Sequence, residues 1–310
     1  MVASDRYLMA NESELMATHI STECYSLFHT VHSWMFHDIQ PVPECTSDHS
    51  LWRIFSLREK RLPVLVKQDS SEGLTVFHPR SSVSSSLVKD RISTILGLGV
   101  DTTGAIEAIR QDEDVARYAG TLRLIRPYQT DTVFESIIKA IIQQQISFRA
   151  ANSITRRLVL ATQEPVSCEG LQFHGFPKHD DILSLGRDRL KALGLGHKAE
   201  YISDICKEIE RGEFSPERLR EETYSSAAST LGAIRGIGSW TIGAVAISGL
   251  GHFDTFPYSD LGIRRIVGRL VHRGQRASIE QVRAFRNRFG KIGDLVLYLL
   301  MCGEVIGALS

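Results

Sequence analysis

The 310-residue sequence has no pair of cysteines in a C-x-x-C arrangement, no long apolar run and no net charge, and each absence removes a class of protein. Its five cysteines (Cys24, Cys45, Cys168, Cys206, Cys302) are scattered and odd in number, which fits reduced thiols rather than a disulfide framework. The N-terminal MVASDRYLMANESE shows no basic segment followed by an apolar core, so no secretory signal is evident. The longest apolar run, LVLYLLM at 295–301, falls well short of the roughly 20 residues a bilayer-spanning helix needs. It reads as a buried terminal helix. The expectation is a cytoplasmic chain without a membrane partner. A formal charge of zero argues against a simple polybasic nucleic-acid binder.

The charge that is present is unevenly spread. Residues 1–124 hold 12 Lys+Arg against 16 Asp+Glu, and residues 125–310 hold 24 against 20. Nine basic residues (Arg264, Arg265, Arg269, Arg273, Arg276, Arg283, Arg286, Arg288, Lys291) face one acid, Glu280, within 264–291. Two readings are open: a surface that neutralises phosphates, or a solvated helix face.

Length suggests two domains, and a 43% hydrophobic content can fill their cores. Residues 1–20 are polar and read as a flexible terminus. Short β-like runs at 51–57, 62–67 and 74–78, punctuated by Pro63, Ser70, Ser71 and Gly73, predict an antiparallel meander. The Ser-rich 81–86 marks a loop before another helix. From 101 onward the apolar spacing turns helical, as in Val133, Ile137, Ile138, Ile141 and Ile142. The organisation expected is a flexible 1–20, an N-terminal α+β domain over 21–125 and a helical region over 126–310.

The most informative segment is 231–265, LGAIRGIGSWTIGAVAISGLGHFDTFPYSDLGIRR. Its Gly236-Ile237-Gly238 turn lies between two apolar helical runs, and two glycines allow a sharp turn and close backbone approach. Ser239 is placed to cap the following helix, so free N–H groups converge into an anion site suited to phosphate. About twenty residues further on stands Asp260.

Hairpin (IRGIGSW, 234–240), connector (GHFDTFP, 251–257) and acid (Asp260 in PYSDLGIRR) resemble the helix–hairpin–helix (HhH-GPD) DNA glycosylase superfamily. The segment 134–158, FESIIKAIIQQQISFRAANSITRRL, resembles the helix–loop–helix of its 3-methyladenine DNA glycosylase II branch. LKALGLGHKAEYI at 190–202 is similar to a connecting helix shared by that branch and the 8-oxoguanine glycosylases. Together the three segments span 131–310, whereas 21–125 match more loosely. The resemblance implies an α+β fold: a mostly α-helical HhH-GPD glycosylase core behind an N-terminal antiparallel β-sheet (TBP-like) domain. It implies a monomeric base-excision repair enzyme whose partner is double-stranded DNA carrying a damaged base. No cofactor is required, although a K⁺ or Na⁺ at the hairpin carbonyls is implied. Some relatives carry a four-cysteine iron–sulfur loop near the C-terminus, where this chain has only Cys302.

Residue by residue, Asp260 becomes the catalytic carboxylate, one that stabilises the oxocarbenium-like state and handles water. Taken without the hairpin, it would be a simple helix cap. Bifunctional relatives place a lysine where this chain has Trp240, and an indole cannot form a Schiff base, so hydrolysis without strand cleavage is expected. Trp240 either stacks on the flipped base or braces the hairpin as a core residue. Tyr258 and Met301 are the other base-pocket candidates, and the aromatic cage of the alkylpurine branch is sparse. Gln145 aligns with the wedge that fills the gap left by the extruded nucleotide, and Gln144 with a residue holding the loop or the widowed base. Gly236, Ile237, Gly238, Ser239 and Arg264 would grip the DNA backbone. No metal site is expected: His29, His32 and His37 lack completing ligands and read as surface or core histidines. Asp294, in IGDLVLYLL, reads as a helix N-cap, with a second buried acid as the alternative. Alkylated purines are the leading substrates; an 8-oxoguanine-type or other oxidised- or deaminated-base glycosylase and a non-catalytic DNA-binding hairpin module are the alternatives.

Overall fold

The computed structural model describes residues 15–57, 60–70, 72–80, 83–168 and 171–309. The expected flexibility of 1–14 and the first serines of the 81–86 loop lie outside these residues. The chain forms two compact units, each assembled from separate stretches of sequence. Among the described residues the first takes those of 15–23, 36–93 and 145–215, and the second 24–35, 94–144 and 216–309.

The first unit is built on an antiparallel sheet ordered β1-β5-β4-β3-β2, from β1 (Leu15–Ser21), β2 (Cys45–Ser47), β3 (Ser50–Leu57), β4 (Lys60–Ser70) and β5 (Gly73–Pro79). The three sequence-predicted strands are β3, β4 and β5. Residues 15–20 depart from the expected flexible terminus, because they pair with β5 from Leu15 opposite Pro79 to Ser21 opposite Gly73. Unlike the polar residues before them, 15–20 read LMATHI, and this edge strand is ordered by its ladder with β5 and by the buried Ile20. Pro63 lies inside β4 instead of at a turn. Pairing with β5 begins only at Leu65, so the missing N–H of Pro63 breaks no bond on that side.

Alternation places Leu51, Arg53 and Phe55 on one face of β3, and all three are fully buried. Arg53 is tolerated there because its guanidinium pairs with buried Glu44. The other face carries Trp52, which clusters with Leu65 and with Phe173 of β7 (Leu171–Phe173), the partner of β6 (Val166–Cys168).

The helices are α1 (Leu27–His32), α2 (Ser85–Ile95), α3 (Thr103–Gln111), α4 (Ala119–Leu122), α5 (Val133–Gln143), α6 (Phe148–Thr162), α7 (His179–Leu190), α8 (Lys198–Glu210), α9 (Tyr224–Gly232), α10 (Ser239–Val245), α11 (Leu261–Val271), α12 (Ile279–Asn287) and α13 (Gly293–Val305). Of these, α6, α7 and α8 belong to the first unit, as does α2 up to Ser93. The second unit is helical, and its core joins Ile106, Ile109 and Leu122 to Ile263, Ile266 and the apolar face of α13. Segments 24–35 and 94–125, which precede the sequence boundary at 126, therefore fold within this helical unit. No helix among the described residues is long and apolar enough to cross a membrane.

Helix α5 packs against α10 in the second unit. Ile137, Ile138, Ile141 and Ile142 are fully buried, each stabilising the fold by about 1.5–3 kcal/mol. Thr132 caps its start by accepting from the Glu135 N–H at 3.0 Å. The Glu217 carboxylate accepts from the Val133 and Phe134 N–H groups, both at 3.1 Å, satisfying donors that a helix N-terminus leaves open.

Candidate active site

The hairpin joins α9 to α10. Gly236 adopts φ +91°, a conformation that costs a glycine little and a residue with a Cβ much more. Ile237 is buried, and its N–H donates to the Ile234 carbonyl at 3.1 Å to close the turn. Gly238, rather than Ser239, is the N-cap of α10: its backbone is extended and Ser239 is already the first helical residue. The hydroxyl expected to cap is thus one position too late, and the first N–H groups of α10 have no side-chain cap. A Cβ at Gly238 would meet nothing within 4 Å, so packing inside the chain does not require glycine there.

Gln144 ends α5 and is tied directly to this turn. Its Nε2 donates to the Gly236 carbonyl at 2.8 Å and to Thr241 Oγ1 at 2.9 Å. One amide side chain therefore links the Gln-rich loop to the hairpin. Gln145 follows at φ +57° with its side chain exposed, and Ile146 beside it is also exposed before Ser147 caps α6.

The connector is held at Pro257, its C-terminal end. A Cβ on Gly243 of α10 would lie 3.1 Å from Pro257 Cβ, so the glycine lets helix and connector approach closely. The Asp260 N–H donates to the Pro257 carbonyl at 2.8 Å. Asp260 is the N-cap of α11, and its Oδ1 accepts from the Gly262 N–H at 2.7 Å and the Ile263 N–H at 3.1 Å. Its Oδ2 accepts from Trp240 Nε1–H at 2.7 Å. Capping and an approach to Trp240 occur together in one carboxylate. Among the described residues no cation pairs with Asp260, and its side chain is half-buried. A Cβ on Gly262 would lie 2.9 Å from Oδ1 and 3.0 Å from Met301 Cε, which puts Met301 beside the acid.

Tyr258 has a different environment. Its hydroxyl donates to Asp294 Oδ1 at 2.6 Å, and the Arg283 guanidinium lies 5.5 Å from its ring centroid. Burial first, then the Asp294 carboxylate, pushes the phenol up to about 12, so the hydroxyl stays a donor through the neutral range. Asp294 is not the N-cap of α13, a place taken by Ile292; it is the helix's second residue and is buried. Arg286 bonds its Oδ2 through Nε at 2.8 Å and through Nη2. A lone charge in an apolar run was the available signal, because such a carboxylate requires a partner.

The basic segment divides in the same way. Arg269 bonds Glu304, Arg288 pairs with Asp112 and Asp114, and Arg264 Nε donates to the Ala277 carbonyl at 2.7 Å. Arg265, Arg273, Arg276 and Lys291 are exposed. Sequence reading missed Trp34, which tertiary folding brings to the terminal helix: its Nε1–H donates to the Tyr298 hydroxyl at 2.7 Å. Phe253 of the connector meets the Tyr298 ring edge-on at 5.5 Å between centroids. His29 bonds Ser26 and His32 bonds the Phe28 carbonyl. No group of three or more metal-ligating side chains occurs among the described residues.

Known proteins resemble this chain in sequence and in fold. A 3-methyladenine DNA glycosylase from Archaeoglobus fulgidus superposes with a TM-score of 0.81 at 29% identity, covering 93% of this chain and 98% of that one. A putative DNA-3-methyladenine glycosylase of Bacillus subtilis, YfjP, is 32% identical over 142 residues, 44% of this chain and 47% of that protein. A probable bifunctional transcriptional activator/DNA repair enzyme AlkA of Mycobacterium tuberculosis is 27% identical over 195 residues, 61% of this chain and 38% of that protein. The chain thus spans about half the length or less of these curated relatives. Residues 138–291, which hold the hairpin, Trp240, Asp260 and the basic segment, match the family model as well. Through them the chain belongs to the HhH-GPD superfamily of base excision DNA repair proteins.

Proposed function

We propose that this protein is a monofunctional DNA glycosylase that removes alkylated purines and leaves an abasic site. The observation that carries the reading is the environment of Asp260: three neutral N–H donors orient it and, among the described residues, no cation neutralises it. A carboxylate held this way keeps its negative field for a cation arriving from outside the chain. In the reaction, the C1′–N bond breaks with its electron pair going to the base, and the sugar carbon gains positive charge that Asp260 stabilises. Water adds to C1′, and its proton passes to the carboxylate or to solvent. An alkylated, positively charged purine leaves as a neutral base, so its bond is already weakened.

The nucleophile is water because Trp240 occupies the position of the lysine in bifunctional relatives, and an indole forms no Schiff base. The other roles follow the resemblance. The uncapped N–H groups after Gly238 grip a phosphate, the exposed Arg265, Arg273 and Arg276 neutralise others, and Gln145 fills the space of the flipped nucleotide. The open space at Gly238 suits an approaching DNA backbone. Tyr258, Met301 and Trp240 remain the residues proposed to face the base, acting on double-stranded DNA as a monomer inside the cell. No cofactor is needed for hydrolysis as written. A K⁺ or Na⁺ fits the carbonyls of Ile234 and Gly236, each of which accepts one hydrogen bond and keeps a lone pair.

The test is a base-release panel on duplexes carrying 3-methyladenine, 7-methylguanine, hypoxanthine or 8-oxoguanine. Release of free alkylpurine, with strand breaks appearing only after alkali, is expected. Strand scission without alkali would overturn hydrolysis, and preferential release of 8-oxoguanine would overturn the substrate class. Binding without release of any base would leave a DNA-binding module.

A further inference from the structure

We infer that Trp240 is a positioning residue that holds Oδ2 of Asp260 towards the sugar through its indole N–H. The inference rests on the glycosylase reading and deepens it. An ionised carboxylate offers about four lone-pair sites. Two are taken on Oδ1 by the Gly262 and Ile263 N–H groups, at 2.7 and 3.1 Å. One on Oδ2 is taken by Trp240 Nε1–H at 2.7 Å. The site left over is on Oδ2, so only that oxygen can meet water or the sugar cation without giving up a bond.

The backbone donors cannot set this orientation alone. Two bonds to Oδ1 tether that oxygen, but the terminal sp³–sp² torsion is broad, so the carboxylate plane can still rock and carry Oδ2 with it. The indole donor, twenty residues upstream, restricts that rocking. It is itself held by the hairpin, since Ile242 N–H donates to the Gly238 carbonyl at 3.0 Å and Gln144 bonds Thr241 on the same turn. Gly262 completes the arrangement, because a Cβ there would crowd Oδ1 at 2.9 Å. The neutral donor also matters chemically. A lysine or arginine at 240 would orient the carboxylate equally well but would cancel the charge that the transition state uses.

Three enzymes are compared on duplex containing 7-methylguanine: the parent, Trp240→Phe, and a protein carrying 3-benzothienylalanine at 240, which keeps the bicyclic shape and lacks the N–H. Single-turnover base release is measured at saturating enzyme, with DNA affinity determined separately. Both substituted enzymes are expected to lose roughly ten- to a hundred-fold in rate, the range for one hydrogen bond to a charged group, at near-parental affinity. In ¹⁵N spectra the chain gives three indole signals at most, and the Trp240 N–H is expected downfield and to move upfield in Asp260→Ala. Parental rate in the benzothienyl enzyme overturns the role of the N–H, as does a loss confined to DNA affinity. A parent that releases no base overturns the glycosylase reading itself, and the indole signal then reports separately whether the contact exists.

Discussion

Two aspartates in the helical unit begin neighbouring helices and have opposite fates. Asp260, at the start of α11, is half-buried and, among the described residues, held only by neutral N–H groups. Asp294, in the first turn of α13, is buried and clasped by the Arg286 guanidinium and the Tyr258 hydroxyl. Both are well satisfied, so hydrogen bonding does not distinguish them. Charge balance does. The guanidinium spends the field of Asp294 on holding α12, α13 and the connector together, whereas the field of Asp260 stays open to a visiting cation. A carboxylate oriented without being neutralised is the arrangement expected of a catalytic acid residue, and one paired with arginine is the arrangement expected of a structural one.

The widest separation between the two comes from activity. Asp260→Asn keeps a good capping residue but loses the charge, so base release is expected to fall at least about a hundred-fold with little change in Tm. Single-turnover rates and thermal melts check both halves; a parental rate would remove Asp260 from the chemistry. The reverse pattern is expected at the other site. Arg286→Met strands the Asp294 carboxylate in the core and should destabilise the fold by about 3–5 kcal/mol, read by urea unfolding. A loss below about 1 kcal/mol would mean that the pair contributes little beyond what a surface pair does.

Tyr258→Phe sharpens the comparison at its boundary, because Tyr258 is close to Asp260 in sequence but bonded to Asp294. Losing one donor to a buried charge predicts about 1.5–3 kcal/mol of destabilisation, with the guanidinium still in place. If base release falls far more than stability does, the ring faces the substrate as well. The smallest effect concerns the sheet-bearing unit, where burial holds the imidazoles of His78 and His174 below their ordinary range. Their neutral forms favour the folded state, so this contribution is complete above about pH 6.5 and is lost as pH falls through that value towards the lower folded-state values. Urea midpoints measured from pH 7.5 to 5.5 should decline, and replacing both histidines with glutamine should flatten the decline.

Much of this was legible in advance where the signal is local. The period-2 runs became β3, β4 and β5, and the period-3.6 runs became helices such as α5. The spacing from hairpin to Asp260 marked the acid because a glycine turn and a helix cap each have short-range sequence signatures. Local signals also misled. Ser239 looked like a cap because serine usually is one, yet Gly238 already adopts the extended cap conformation. The short LMATHI run at 15–20 follows a polar stretch and has no neighbouring strand in sequence, and its order comes from a ladder with β5 that only the fold reveals. Asp294 looked like an N-cap because its position near a helix start is visible in sequence, while Arg286 on the preceding helix is not visibly its neighbour.

Sequence alone determined the elements, the hairpin, the acid that follows it and the absence of a lysine at 240, because each depends on residue type and on spacing along a few turns of chain. Tertiary structure decided that the indole of Trp240 points at Oδ2 of Asp260, that Arg286 and Tyr258 converge on Asp294, that Gln144 is fastened to the hairpin, and that Trp34 reaches Tyr298. Those outcomes depend on the direction of side chains across packed helices, and direction is set by which faces are buried together.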